Sequence, residues 1–300
     1  MEKQSFDRLL ESEAKFKTIL NELGIKPNSE NRIFKSFKKI RSLSEELKKT
    51  GEIKDYNKRL FQGRAIEAAM DVFEIDRIIP AIENNLSNTT KNCLVDILSG
   101  SEYRSEETVA NNKARNTMFE LLLLSDFIKA GLPAQLGDQN PDIQLNFKDK
   151  NYHIECKRVF NNNDSAVRNN IINARNQLLK QFDNPSVVGI IALSVDRYHT
   201  GGKNLLESAS GQDATNFLFR EQELFIEKYK HLWLDPKIIK SERIISLILY
   251  MGVITVTKKE NVPSYATNIV ITNTITTETS LDLFEKFKVD FSPMLKNNTY

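Results

Sequence analysis

The run "SVVGIIALSV" (186–195) constrains this chain more than any other stretch. A near-continuous apolar segment of that length, bounded by polar residues, reads as a β-strand buried on both faces, and such a strand needs helices packed on either side of its sheet. Its neighbours meet that demand. Before it comes "DSAVRNNIINARNQLLKQF", a helical pattern with Val167, Ile171, Ala174, Leu178 and Phe182 on one face. Two alternating runs, "DIQLNF" and "YHIECKRV", precede that helix, separated by "KDKN". A long helix, "EETVANNKARNTMFELLLLSDFIKAG", leads into them and ends at Gly131 as a C-terminal cap. Beyond the apolar strand the patterns give a helix around 212–234, strands around 243–257 and 267–274, and a short helix near 279–287. The order helix, hairpin, helix, central strand and additions predicts an α/β layered domain with a mixed sheet flanked by helices.

The first hundred residues read differently. Residues 2–23 place Phe6, Leu9, Leu10, Phe16, Ile19, Leu20 and Leu23 at helical spacing and stop at Gly24. A second helix runs from a Ser29 cap to Gly51, with Ile33, Phe37, Ile40 and Leu47 as its stripe, and further helical segments follow around 56–72, 75–86 and 91–98. "SGSEYRSE" (99–106) is the best linker. The expected organisation is therefore an all-helical N-terminal region over 1–104 and an α/β domain over 105–300.

Composition excludes several classes. Of 300 residues 40% are hydrophobic and 27% charged, which is enough apolar material for a substantial core. The longest apolar stretch, "IISLILYMGVITV", is too short to span a bilayer, so no membrane role is expected. The N-terminus carries charge from its second residue, unlike a secretory or transit signal. Two cysteines, Cys93 and Cys156, provide neither a disulfide framework nor a thiolate cluster, and the expected setting is the reducing cytoplasm. Net charge is +2, but residues 1–60 hold 15 basic against 10 acidic side chains. That local excess fits either phosphate attraction or a solvated helical face.

Chemistry concentrates in the hairpin. In "YHIECKRV", Glu155 and Lys157 share a face with His153, while Tyr152, Ile154 and Cys156 take the apolar one, because side chains alternate along a strand. On the preceding strand Ile143, Leu145 and Phe147 are apolar, leaving Asp142, Gln144 and Asn146 on the polar face. A two-residue turn at Asp149–Lys150 places Asp142 opposite Lys157 and Gln144 opposite Glu155. Asp142 and Glu155 then become diagonal neighbours, with Cα atoms roughly 7–8 Å apart. Two carboxylates so placed can converge on one divalent cation, which for Mg²⁺ takes oxygens at about 2.1 Å. The spacing alone is weak, since about one chance match to such a pattern is expected in a chain of this size. Of the four Glu-x-Lys triplets, at Glu13, Glu46, Glu52 and Glu155, only the last sits in a strand pattern. An ordinary hairpin in which Lys157 pairs with Asp142 in solvent remains the alternative.

Glu120 interrupts the apolar run "MFELLLLSDF", where a buried carboxylate is costly unless paired or bound to a cation. A salt bridge to Lys113 or a neighbour is the alternative. On the helix after the hairpin, Arg168 and Arg175 border one edge of the apolar face and Gln177 lies beyond the other.

Together these residues resemble the PD-(D/E)XK nuclease superfamily, with its restriction-endonuclease-like fold. The resemblance covers about 111–195 and leaves out the N-terminal region. It rests on Glu120, on Asp142 directly after Pro141, on the "ECK" of Glu155, Cys156 and Lys157, on the helix with Gln177, and on the apolar strand. It implies that Asp142, Glu155 and the backbone carbonyl of Cys156 hold Mg²⁺, with Mn²⁺ as substitute, and that Glu120 ligates directly or through water. It implies that Lys157 orients or activates the attacking water and that Gln177 has a polar catalytic role, with Arg175 competing for it. The implied activity is metal-dependent hydrolysis of phosphodiesters, DNA being the expected substrate. Double-strand cleavage would favour a homodimer with paired sites.

Other chemistries find less support. "HTGGKN" (199–204) lacks the first glycine and the hydroxyl residue of a Walker loop. His153, His199 and His231 form no zinc spacing, and no serine elbow motif occurs. A binding module that has lost catalysis, an RNA nuclease, and a partner-binding protein with incidental hairpin charges stay open as alternatives.

Overall fold

A computed structural model describes residues 6–50, 64–138, 141–197, 205–208, 210–257, 263–274 and 277–296. The chain is α/β, with a helical N-terminal region and a mixed β-sheet. Its elements pack as two units. One comprises the described residues of 1–122, 202–214 and 253–266, and the other those of 123–201, 215–252 and 267–300. The expected boundary at 104/105 falls inside the first unit.

In the first unit, α1 (Phe6–Glu22), α2 (Arg32–Thr50) and α3 (Ala65–Glu83) pack together, followed by α4 (Asn88–Leu98). The stripes on α1 and α2 are amphipathic as read, and Phe16, Leu20, Ile33, Phe37 and Ile40 are buried. Helix α3 corrects the reading. The two segments expected at 56–72 and 75–86 are one helix from Ala65, with Pro80 in its last turn, and residues 51–63 lie outside the described set. It is buried on nearly all sides, Asp71 and Glu74 included, so no amphipathic stripe marks its course.

Helix α5 (Lys113–Lys129) starts seven residues later than the pattern suggested, and residues 107–112 form a loop. Its end is as expected. Gly131 adopts φ +78°, the Leu132 N–H donates to the Phe127 carbonyl and the Gly131 N–H to the Ile128 carbonyl.

The second unit carries the sheet. Its strands are β1 (Ala134–Leu136), β2 (Ile143–Phe147), β3 (Lys150–Arg158), β4 (Val187–Ser194) and, after β5 (Leu205–Ser208) of the first unit, β6 (Ile244–Thr257) and β7 (Pro263–Asn273). Strand order is β1-β2-β3-β4-β6-β5, with β7 beside β6. The β1–β2 and β2–β3 pairs are antiparallel, whereas β3–β4 and β4–β6 are parallel. Strand β6 runs from the second unit into the first, where β5 pairs with its last residues. Every residue of β4 is buried, as the opening run demands.

Two helices cover the hairpin and β4. Between β3 and β4, α6 (Asp164–Leu179) begins on an Asn163 cap whose side chain accepts from the Ala166 N–H at 2.8 Å. Its Val167, Ile171, Ala174 and Leu178 are buried. Gly189 lies close beneath this helix: a Cβ there would meet Leu178 at 3.1 Å and Phe182, just past the helix, at 3.0 Å. The opposite face meets α9 (Glu278–Lys296), whose Phe287 and Phe291 lie 5.5 and 5.0 Å from Tyr152, centroid to centroid. That helix continues well past the expected 287. Between β5 and β6 come α7 (Gly211–Trp233) and the short α8 (Pro236–Ile239). No helix among the described residues is long and apolar enough to cross a membrane.

Candidate active site

The hairpin forms with the parity expected and a different register. Ile143 faces Ile154, Gln144 faces His153 and Phe147 faces Lys150. The two-residue turn is therefore Lys148–Asp149, with Lys148 at φ +55°, and not Asp149–Lys150. A shift of two residues keeps every side chain on its face, so alternation could not detect it. The consequence is chemical. Asp142, the residue before β2, moves from a position opposite Lys157 to one level with Glu155, which brings the two carboxylates closer than the diagonal arrangement would.

A side chain to main chain bond then locks Asp142 in place. Its Oδ2 accepts from the Cys156 N–H at 2.7 Å, between the two other members of the motif. Its own carbonyl accepts from the Gly137 N–H at 3.1 Å. Gly137 has to be glycine here, because a Cβ would overlap the Pro141 carbonyl oxygen. Sequence reading passed over Gly137, although a lone glycine beside a strand signals such an approach of backbones.

Glu155 is fully buried because β3 is an inner strand, flanked by β2 and by Ile191 of β4. Its Oε2 accepts from Lys157 Nζ at 3.2 Å, and no donor reaches Oε1. Burial first, and the Asp142 charge second, push the Glu155 carboxyl up to about 7, against the opposing pull of Lys157. Lys157 Nζ also lies 3.8 Å from Asp142 Oδ2 and donates to the Cys156 carbonyl at 3.0 Å. Burial works against that ammonium, but the charges of Asp142 and Glu155 more than offset it and raise Lys157 above the ordinary lysine value. The Asp142 and Lys157 side chains keep 15% and 19% of their surface, so the cluster opens to solvent on one side.

Asp142, Glu155, Lys157 and the Cys156 main chain thus come together as expected. The other nominated residues stand as follows. Glu120 is half-buried on the part of α5 that belongs to the first unit, and its charge acts on Lys113, which pairs with Asp96 at 2.9 Å. Full burial, which made it suspect, is absent. Gln177 is half-buried on α6, beside the Leu178 that covers Gly189. Gly189 is paired with His153, two residues along β3 from Glu155. Arg175 is withdrawn from any phosphate role. Its guanidinium is buried and committed to the Ile238 carbonyl at 2.5 Å and to Asn176 Oδ1 at 2.6 Å. Arg168 is exposed. His153 is half-buried with no partner at Nδ1, and burial lowers its pKa. His231 lies 3.5 Å from Asp164 on the surface, and His199 with its glycine loop lies outside the described residues.

Three oxygen sources therefore surround one point: two carboxylates and a carbonyl. Among the described residues no group of three or more His, Cys, Asp or Glu side chains is placed to hold a metal. The hard-oxygen set fits Mg²⁺ or Mn²⁺, which bind through one or two carboxylates and keep several waters. The buried Glu155 Oε1 without a donor is what such an ion would satisfy. Compared with known proteins, the chain matches no protein-family model, no curated protein and no solved structure.

Proposed function

We propose that this chain is a metal-dependent nuclease of the PD-(D/E)XK, restriction-endonuclease-like kind, hydrolysing phosphodiester bonds of DNA. The observation that carries the reading is the convergence of Asp142, Glu155 and Lys157 around a fully buried carboxylate oxygen that no donor reaches. A bound Mg²⁺ or Mn²⁺ would supply relief of charge on the phosphorane-like transition state and a more acidic water. Asp142, Glu155 and the Cys156 carbonyl are the groups that would hold it. The Cys156 N–H keeps one Asp142 oxygen in position and leaves the other for the ion. Lys157 has the charge and the partial exposure to orient the attacking water or to steady a phosphate oxygen. Gln177 is assigned a supporting polar role. The helical N-terminal region is assigned to substrate binding or to a homodimer that pairs two sites.

The test is incubation with double-stranded DNA, single-stranded DNA and RNA, in Mg²⁺ or Mn²⁺, comparing wild type with Lys157→Ala and Asp142→Ala. Cleavage that disappears in both variants while they stay folded supports the reading. Equal cleavage by all three proteins sinks the site. Metal-independent retention of DNA with no cleavage would favour the binding module, and cleavage of RNA alone would change the substrate.

A further inference from the structure

We infer that the Lys157 ammonium is the pocket's resident cation, seated against the carboxylates and the carbonyl that would hold the divalent ion, so that metal binding displaces it. This rests on the metal-site reading above and adds to it a competition inside the site. Nζ lies 3.0 Å from the Cys156 carbonyl oxygen, 3.2 Å from Glu155 Oε2 and 3.8 Å from Asp142 Oδ2. Those are the three residues that would ligate the ion. A divalent ion at about 2.1 Å from the Cys156 carbonyl and from the remaining oxygens of the same two carboxylates would stand within a few ångströms of Nζ. In this partly buried site, a charge of +2 beside a charge of +1 at that distance is repulsive. One of the two must leave.

The lysine is built to be the one that leaves. Its ammonium is a point charge on a flexible four-carbon stem, unlike the rigid fork of arginine. Its side chain keeps 19% of its surface, so an outward path exists. Even when seated it serves the pocket incompletely, since it bonds Glu155 Oε2 and leaves Oε1 without a donor. With both carboxylates ionised, two negative charges against one ammonium still draw a divalent ion. Displacement then moves Lys157 from the ligands toward the open side, where water and phosphate arrive. The lysine thus reaches its catalytic position only in the metal-loaded protein.

The experiment is a titration of Mn²⁺, without substrate, into wild type, Lys157→Met, Lys157→Arg and Asp142→Asn, with free Mn²⁺ followed by electron paramagnetic resonance. Lys157→Met keeps the apolar stem and removes the competitor, so it is expected to bind Mn²⁺ at least about tenfold more tightly than wild type. Lys157→Arg, which keeps a cation that vacates less readily, is expected to bind Mn²⁺ no more tightly than wild type, and Asp142→Asn to lose the site. Binding by wild type that Asp142→Asn abolishes, with Lys157→Met unchanged or weaker, overturns the inference and leaves the metal site standing. No Mn²⁺ binding by any of the four proteins removes both. A second measurement needs no variant fold: the side-chain ammonium resonances of ¹⁵N-lysine-labelled wild type. A seated Lys157 gives an exchange-protected signal that Mg²⁺ should abolish, and a signal that persists at Mg²⁺ saturation overturns the inference.

Discussion

Each unit contains a cluster of buried charge, and the two are built on opposite plans. In the first unit, fully buried Asp71 accepts from Arg32 at 2.5 Å and from Ser36 at 3.0 Å, with Arg115 at 4.0 Å. Arg104 pairs with Glu74 at 2.5 Å, and the Tyr265 hydroxyl reaches the same carboxylate at 3.4 Å. Burial alone would favour the protonated acid, yet the charges of Arg32, Arg115 and Arg104 hold Asp71 below the usual carboxylate range. Burial, followed by repulsion from Arg32, brings the Arg115 guanidinium down to about 9. Here rigid arginine forks surround the acids and little surface remains. In the second unit a single flexible lysine answers two carboxylates, and one oxygen has no donor. Charge of the first kind, in which arginines outnumber the two acids although Glu74 Oε2 has no donor, specifies a packing. Under-compensated charge of the second kind, open on one side, is what a site reserves for a ligand.

The comparison predicts different losses. Glu155→Gln should lower metal-dependent cleavage by on the order of 10³-fold, because it removes a metal oxygen and the charge behind it, while the fold persists. Single-turnover assays in Mg²⁺ check this. Full activity in that variant would break the contrast at its functional end.

Next in size is the structural cluster. Arg32→Met leaves Asp71 buried with its closest cation gone, and breaking such a pair costs about 3–5 kcal/mol of stability. Urea unfolding should show that loss, and Mn²⁺ affinity should be unchanged. A variant as stable as wild type would mean that the first cluster is no better paired than the second.

Acidity separates the clusters further. The folded Glu155 carboxyl stands near 7 against an ordinary value of 4.5, so folding favours its protonated form. That contribution is complete below about pH 4.5 and is lost as pH rises through about 7, worth roughly 3 kcal/mol across the window. Metal-free protein should therefore lose this increment between those pH values, Glu155→Gln should remove the dependence, and Mn²⁺ should oppose it above pH 7. Melting temperature against pH, in chelator and in Mn²⁺, is the measurement. An identical pH dependence in wild type and Glu155→Gln would refute the assignment.

What could be read from sequence divides along the same line. The site is local: Asp142, Glu155 and Lys157 sit within one hairpin, where period-two alternation fixes faces. Register escaped, since a slip of two residues preserves those faces and only the Lys148–Asp149 turn decides between them. The first cluster is assembled from Arg32, Asp71, Arg104 and Arg115, which are tens of residues apart for the most part, and no local pattern announces it. Helix α3 hid for a related reason, being buried on nearly all sides with its charges paired inside. The central strand was plain because apolar residues on both faces have few other uses in a chain of this composition.

The smallest expected effect concerns what holds Asp142 level with Glu155. Gly137 donates to the Asp142 carbonyl, and its missing side chain is what lets the Pro141 carbonyl approach. Gly137→Ala must push that backbone aside, at a cost of about 1–3 kcal/mol for overpacking. The displaced segment is the one that carries Asp142, so the change should weaken Mn²⁺ binding by several-fold more than it lowers the melting temperature would suggest. An alanine at Gly131, which sits at positive φ but has nothing within 4 Å of its added carbon, is the control. It carries backbone strain without touching the site, and should lower stability while leaving Mn²⁺ affinity unchanged. If both alanines affect Mn²⁺ binding alike, Asp142 is not held by its neighbours' backbone, and the site is less preorganised than the arginine cluster to which it is compared.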